Sequence, residues 1–252
     1  MSRRYKNDIV WFTAAWLFST GVFSSAAEDG LSSSVDSGNI SQGSSTILSP
    51  VYGPLAEQIV SEFDLVHREG TGIDVGGGYG NLAIELAKRT PQMQWINADI
   101  NPEVIPSVRQ AAKEAGVEHH MSALLVDVHE MPFEDDYADI IVSRGSFQFW
   151  TDRRKAFYEI SRVLKPGGVA FIGRGFSENL PVNVARKVRE QQMAQGSFPV
   201  YNVEETAEEL KNIMELLGIK DYRIRIPKPS GSEGINYGIW LEFHKPRSQN
   251  VH

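Results

Sequence analysis

From Pro50 onward the apolar residues of this chain fall into two rhythms. Leu55, Ile59, Val60, Phe63 and Val66 recur at helical spacing through residues 52–67. Apolar runs of strand length then recur at 71–75, 94–98, 123–126, 138–142, 169–173, 222–226 and 237–243. Helix-length stretches lie between most of them, at 81–89, 102–115, 153–164 and 203–217. Strands alternating with helices predict βαβ units and an α/β fold around a mainly parallel sheet. The last two strands are separated only by a Pro/Gly/Ser-rich turn at 227–234, which predicts an antiparallel hairpin at the end of the sheet. No internal repeat interrupts the pattern.

The pattern before Pro50 is different. Arg3, Arg4 and Lys6 precede an apolar run from Ile9 to Phe23, and Ser25-Ala26-Ala27 then offers a small-x-small cleavage site. That order is the three-part order of a secretory signal. The run is short for a spanning helix, which needs about 20 residues. Uncleaved, it would still give membrane association through residues 9–23. No Lys or Arg occurs between Lys6 and Arg68, so the positive-inside rule places the domain outside the cytoplasm. A misassigned start, leaving a cytoplasmic protein, is the alternative. Residues 28–49 hold eight serines and three acids, Glu28, Asp29 and Asp36, and read as a flexible linker. The expected organisation is a signal or anchor at 1–27, a linker at 28–49, a folded domain at 50–245 and a tail at 246–252.

Charge and composition narrow the function classes. The 252 residues carry a formal net charge of −7. A nucleic-acid binder draws most of its affinity from basic contacts to phosphates, so no nucleic-acid partner is expected. There is no cysteine, which excludes disulfides, thiolate metal sites and cysteine nucleophiles. His119 and His120 are adjacent, and neighbours on a strand point to opposite faces, so no metal site is expected.

The chemistry gathers at strand ends. Residues 72–81, Gly-Ile-Asp-Val-Gly-Gly-Gly-Tyr-Gly-Asn, run an apolar strand into glycines and straight into a helix. Glycines allow a tight turn and close approach of a ligand, and free N–H groups of the new helix could take an anionic group. A dinucleotide fingerprint starting at Gly76 would need its third glycine at Asn81. Together with the Leu164-Lys165-Pro166-Gly167-Gly168 motif, this disfavours a nicotinamide dehydrogenase. Asp99 closes the second strand 21 residues after Gly78, the place from which a carboxylate accepts hydrogen bonds from ribose hydroxyls. Its competing role is to cap the helix after Pro102, for which Asn101 is better placed. Asp127 stands at the third strand end beside the same crevice, within reach of an adenine amine.

Taken in order, 74–80, Ala98-Asp99-Ile100, Asp127 with Met131-Pro132-Phe133, and 164–168 resemble the motifs of class I S-adenosylmethionine (SAM)-dependent methyltransferases. The nearest likeness is the small-molecule branch that includes the ubiquinone/menaquinone-biosynthesis type. It covers about residues 70–175 well. It implies a Rossmann-like, doubly wound seven-stranded sheet and SAM as cofactor. It also implies roles. Gly76, Gly77, Gly78 and Gly80 would contact the methionyl part. Asp74 would help hold the loop and the cofactor's amino group. Asp99 would bind the ribose, with Ile100 beside it, and Asp127 the adenine amine. Val128 would pack near the ring, and Ser143 and Arg144 would line the floor. Arsenic-type relatives share these motifs but rely on cysteines, so that subfamily is excluded.

Methyl transfer is an in-line displacement, helped by alignment and exclusion of water. No His or carboxylate spacing marks a general base, so catalytic residues stay unassigned; Tyr52, Tyr79, His129, Arg144 and Tyr201 are candidates by position. The acceptor is expected to be a small, partly apolar molecule. Tyr52, Phe147, Phe149, Trp150 and Tyr201 are its expected pocket, core packing being the competing reading for the aromatics after the fourth strand. Segment 176–201 should cover that pocket. Its Arg186, Lys187 and Arg189 read either as a solvated helix face or as an attraction for an acidic acceptor. The non-enzymatic alternative is an exported nucleoside-type binding protein of the same fold without turnover. The oligomeric state is not legible.

Overall fold

In the computed structural model, residues 37–196 and 201–247 are described, with side chains from Leu48 onward. The predicted export segment lies outside the described residues. Seven strands form one sheet: β1 (Gly70–Val75), β2 (Met93–Asp99), β3 (Met121–Leu125), β4 (Ala138–Arg144), β5 (Leu164–Gly175), β6 (Tyr222–Arg225) and β7 (Gly238–His244). Their order is β3-β2-β1-β4-β5-β7-β6. The first five pair in parallel, and β7 runs antiparallel to both β5 and β6. The fold is therefore the expected doubly wound α/β sheet with an antiparallel C-terminal hairpin.

The helices are α1 (Ser37–Glu62), α2 (Asn81–Arg89), α3 (Val104–Glu114), α4 (Arg153–Val163), α5 (Val182–Ala194) and α6 (Val203–Leu216). Pleating sends successive β4 residues to opposite faces. Ile140 and Val142 join Leu55, Leu86, Trp95 and Val108 beneath α1, α2 and α3. Ile141 joins Phe157, Ile160, Met214 and Phe243 beneath α4 and α6. Both faces of the parallel strands are thus covered, which is why their sequence reads as continuous apolar runs. A smaller cluster, with Val51, Phe176, Leu180, Ala185, Val188 and Tyr237, seats α5 against α1. Among the described residues no helix is long and apolar enough to cross a membrane.

Several expected boundaries need correction. Residues from Ser37 on are helical rather than linker, and the compact unit begins at Ser37 rather than at 50. Pro50 and Pro54 lie inside α1, not at its boundary. Ile40, Ile47, Val51, Leu55 and Ile59 keep a helical spacing straight through the serines. The third helix starts at Val104, not Pro102, and Asn101 Oδ1 accepts the Glu103 N–H two residues on. The Leu164–Gly168 motif follows α4 directly, Leu164 being its C-cap, and opens β5 across a register shift against β4.

Candidate functional site

The chain winds outward from β1 through β2 to β3, then returns to start again at β4. Strand order reverses between β1 and β4, and ligands of open α/β sheets bind in the crevice outside the strand ends at such a switch. Two cavities open there. One, of about 310 Å³, is lined by Val75, Asp99, Ile100, Asp127, Val128, His129, Ser146 and Trp150. The other, of about 530 Å³, takes in Tyr52, the 76–79 loop, Arg144, Gln148, Arg174, Arg189, Gln192 and Tyr201. They meet at Gly76, Gly145 and Phe149, which line both.

The loop after β1 is held from beneath. Gly76 N–H donates to Ala98 O at 2.7 Å, Gly78 N–H to Asp99 Oδ2 at 2.8 Å, and Asn97 Nδ2 to Gly78 O at 3.2 Å. At Gly76 (φ 65°) a Cβ would fall 2.3 Å from Ser146 Cβ, so only glycine lets the loop pass. At Gly78 (φ 52°) a Cβ would meet nothing within 4 Å, so the backbone there is an open shelf. The Gly76 and Gly78 N–H groups are used inside the protein, so the shelf itself offers room rather than free donors.

Asp74 lies under the loop, 1% exposed, with neither carboxylate oxygen hydrogen-bonded. Burial pushes its carboxyl up to about 8, against the pull of the Ala83 N–H, close but outside hydrogen-bonding geometry, and of Arg144; Asp99 adds to the rise. Asp74 lines neither cavity. Asp99 Oδ1 accepts the Asn101 N–H at 2.9 Å. With Gly78 on Oδ2, each oxygen keeps a lone pair for a further donor. Asp127 Oδ1 accepts the backbone N–H of His129 at 2.9 Å and faces its Nδ1 at 2.6 Å, while His129 Nε2 accepts the Asp152 N–H at 3.2 Å. That network holds the ring as the Nδ1–H tautomer. The His129 backbone bond, then its side chain, keep Asp127 below the usual carboxylate range.

Asp99 and Asp127 beside an apolar floor, next to a glycine shelf, suit a nucleoside with an amino acid extension. Residues 73–172 match the family described as a methyltransferase domain. A solved structure assigned as an S-adenosyl-L-methionine-dependent methyltransferase of Methanococcus maripaludis is 30% identical, with a TM-score of 0.71, and the match covers 90% of this chain and 100% of that one. The chain belongs to the SAM-dependent methyltransferase family. Among curated relatives, the ubiquinone/menaquinone biosynthesis C-methyltransferase UbiE of Proteus mirabilis is 32% identical over 104 residues, 41% of each chain. The chloroplastic 2-methyl-6-phytyl-1,4-hydroquinone methyltransferase of Arabidopsis thaliana is 33% identical over 109 residues, 42% of this chain and 30% of that one. The chain thus spans about two fifths or less of these curated relatives.

Within the methyltransferase fold the expected site residues separate. Gly76, Gly77, Gly78, Asp99, Ile100, Asp127, Val128 and Arg144 line the two cavities. Gly80 does not; it starts α2 in a left-handed conformation, and a Cβ there would press on Val108 at 2.9 Å. Ser143 is fully buried and acts one layer below, its Oγ 2.5 Å from Ser146 Oγ, which donates to Val75 O. Tyr52, Phe149 and Tyr201 line the larger cavity. Phe147 is core, 1% exposed, and Trp150 packs edge-on against Phe147 and Phe157 while flooring the smaller cavity. Neither lines the larger cavity; of the three aromatics after β4 only Phe149 does, at 78% exposure.

The basic cluster on α5 also divides. Arg186 and Lys187 are exposed, whereas Arg189 is 7% exposed, its guanidinium bonded to Asn236 O and Gln192 Oε1. Arg174, Gln148 and Gln192 join the site without having been expected there. Arg174 shows a signal in retrospect: it is a lone cation between Gly173 and Gly175 at the end of the fifth strand.

Proposed function

We propose that this chain transfers the methyl group of SAM to a small, partly apolar acceptor by in-line displacement. The observation that carries the reading is the pair of cavities at the switch point, joined across Gly76, Gly145 and Phe149. One suits a nucleoside and the other an acceptor, and a methyl group passing between them crosses that junction. The open shelf at Gly78 and the spare lone pairs of Asp99 fit the cofactor.

When bound, SAM supplies a methyl group activated on a sulfonium. Asp99 would receive the two ribose hydroxyls. Asp127, steered by His129, takes the adenine amine, with Ile100, Val128 and Trp150 as the apolar walls of the ring. Phe149, at the junction, would cover it once both cavities are filled. The protein's part would be to align the acceptor atom with the methyl carbon, opposite the sulfur that would leave with its electron pair. No carboxylate lines the acceptor cavity among the described residues. Burial pushes the Tyr201 phenol up, so it stays protonated near neutrality and acts as a donor rather than a base. An acceptor that is already nucleophilic suits such a pocket.

Calorimetry of the full chain with S-adenosylhomocysteine, and with NAD as the control, tests the cofactor. Binding of the first alone is expected; NAD binding without it would overturn the reading. We also propose that residues 1–27 direct export or membrane anchoring, from their basic start, apolar run and small-residue site. Fusing residues 1–35 to a reporter active only outside the cytoplasm should give signal. An expressed but silent fusion would reject it.

A further inference from the structure

The larger cavity is cationic in an acidic protein. Arg144 comes from the end of β4, Arg174 from the end of β5 and Arg189 from α5, and all three line it without a carboxylate among the described residues. Arg144 sits beside the glycine loop, its Nε donating to Gly175 O and its guanidinium over the Tyr52 ring at 5.1 Å. A cofactor's own carboxylate would account for that one. Arg174 has no such explanation. It is half-buried, its guanidinium forms no ion pair or hydrogen bond among the described residues, and it stands over the Tyr201 ring at 3.8 Å. The ring contact positions a fork whose five N–H donors have no protein acceptor among the described residues. Arg189 stands over Phe176 at 4.1 Å, fixed by Asn236 and Gln192. Burial and the neighbouring arginines hold Arg174 below its usual value and Arg189 at about 10, both still charged at neutral pH.

A desolvated cation without a counter-charge costs free energy. The Arg174 fork, held against the Tyr201 ring, can meet an oxyanion with two parallel N–H bonds. We infer that the methyl acceptor carries an oxyanion, a carboxylate or a phosphate, received by Arg174 with Arg189 adding its field, while its apolar part lies toward Phe149 and Tyr52. The inference rests on the methyltransferase reading and narrows it to acidic acceptors.

The test uses the full chain saturated with S-adenosylhomocysteine, titrated with benzoate, inorganic phosphate and neutral benzamide. One or both anions should bind at least ten-fold more tightly than benzamide, and the tighter one names the oxyanion. Arg174→Gln should weaken anion binding about ten-fold or more, the scale of one lost charged hydrogen bond, and leave S-adenosylhomocysteine affinity within two-fold. Arg174→Lys, which keeps the charge but loses the fork, should fall between and serves if the Gln variant does not fold. Anions binding no better than benzamide would overturn the inference while the methyltransferase reading stands. So would an Arg174→Gln loss equal for anion and S-adenosylhomocysteine, since the arginine would then serve the cofactor. Failure of wild type to bind S-adenosylhomocysteine would remove both.

Discussion

Asp74→Asn gives the sharpest physical prediction. The carboxyl is buried and unbonded, and its pKa rises from 3.8 to about 8 on folding. Between roughly pH 5 and 7 the native chain therefore holds a proton at Asp74 that the unfolded chain has released. The unfolded state binds fewer protons, so unfolding free energy falls as pH rises through this window, by about 1.4 kcal/mol per pH unit. Below about pH 4 both states are protonated and the effect vanishes. Above about pH 8 both are ionised and it saturates. Asparagine keeps the shape and carries no proton to lose. The stability of Asp74→Asn relative to wild type should therefore climb by about 2.7 kcal/mol from pH 5 to 7, a relative gain in unfolding midpoint of roughly 5–10 °C. All other titrating groups are common to the two proteins and largely cancel in the difference. Urea unfolding of both full chains, without cofactor, at pH 5, 6 and 7 measures it. Parallel curves would show that Asp74 is ionised in the native state, and the neutral-carboxyl argument would fail.

Three further outcomes concern the site. Asp99→Ala should weaken S-adenosylhomocysteine binding by roughly 1.5–3 kcal/mol, and an unchanged affinity in the folded variant would remove the ribose role. Trp150→Ala should lower stability by about 3–5 kcal/mol, because the ring packs between Phe147 and Phe157, and should also weaken the cofactor whose cavity it floors; loss of turnover alone, with both intact, would return it to the acceptor wall. Phe149→Ala should shift stability by no more than about 0.5 kcal/mol, since the side chain is 78% exposed, yet slow methyl transfer at the cavity junction; unchanged turnover would leave Phe149 a surface residue.

The strand ends are legible in the sequence because one rule covers them. An apolar run stopped by a polar residue marks where a parallel strand meets the crevice, and Asp99, Asp127 and Arg144 all obey it. Arg174 obeys the same rule, but the motif that opens β5 marks the start of that strand and leaves its end unmarked. Arg189 is legible too: Ala185, Val188 and Gln192 put it on the buried face of α5, while Arg186 and Lys187 fall on the other. Other features lie beyond a linear reading. Periodicity cannot tell Trp150 in the core from Trp150 in a pocket, since both demand a large apolar side chain, and here it does both. The ionisation of Asp74 depends on how many polar partners reach it, which only packing decides. The start of α1 is hidden because its serines and glycines are poor helix formers that read as linker, although Ile40, Ile47 and Val51 keep the helical spacing.

The two cavities also divide the sheet edge by charge. Asp99 and Asp127 stand at the ends of β2 and β3, and Arg144 and Arg174 at the ends of β4 and β5, so the sign changes at the switch point where Gly76 and Gly145 meet. A field with that gradient orients a ligand that is a hydrogen-bond donor at one end and anionic at the other, before any close contact forms. The same gradient bears on the chemistry. A sulfonium brought to the junction faces arginines across the acceptor cavity, an unfavourable neighbourhood while that cavity holds only water. An acceptor oxyanion seated on Arg174 and Arg189 screens those cations and removes the opposition. If the acceptor is the oxyanion proposed above, cofactor and acceptor would favour each other's binding through charge, and the reciprocity is thermodynamic: whatever the oxyanion contributed to SAM binding, SAM would contribute to the oxyanion. S-adenosylhomocysteine carries no sulfonium and forgoes that coupling, so product and acceptor lose their mutual attraction at the moment the methyl group has crossed.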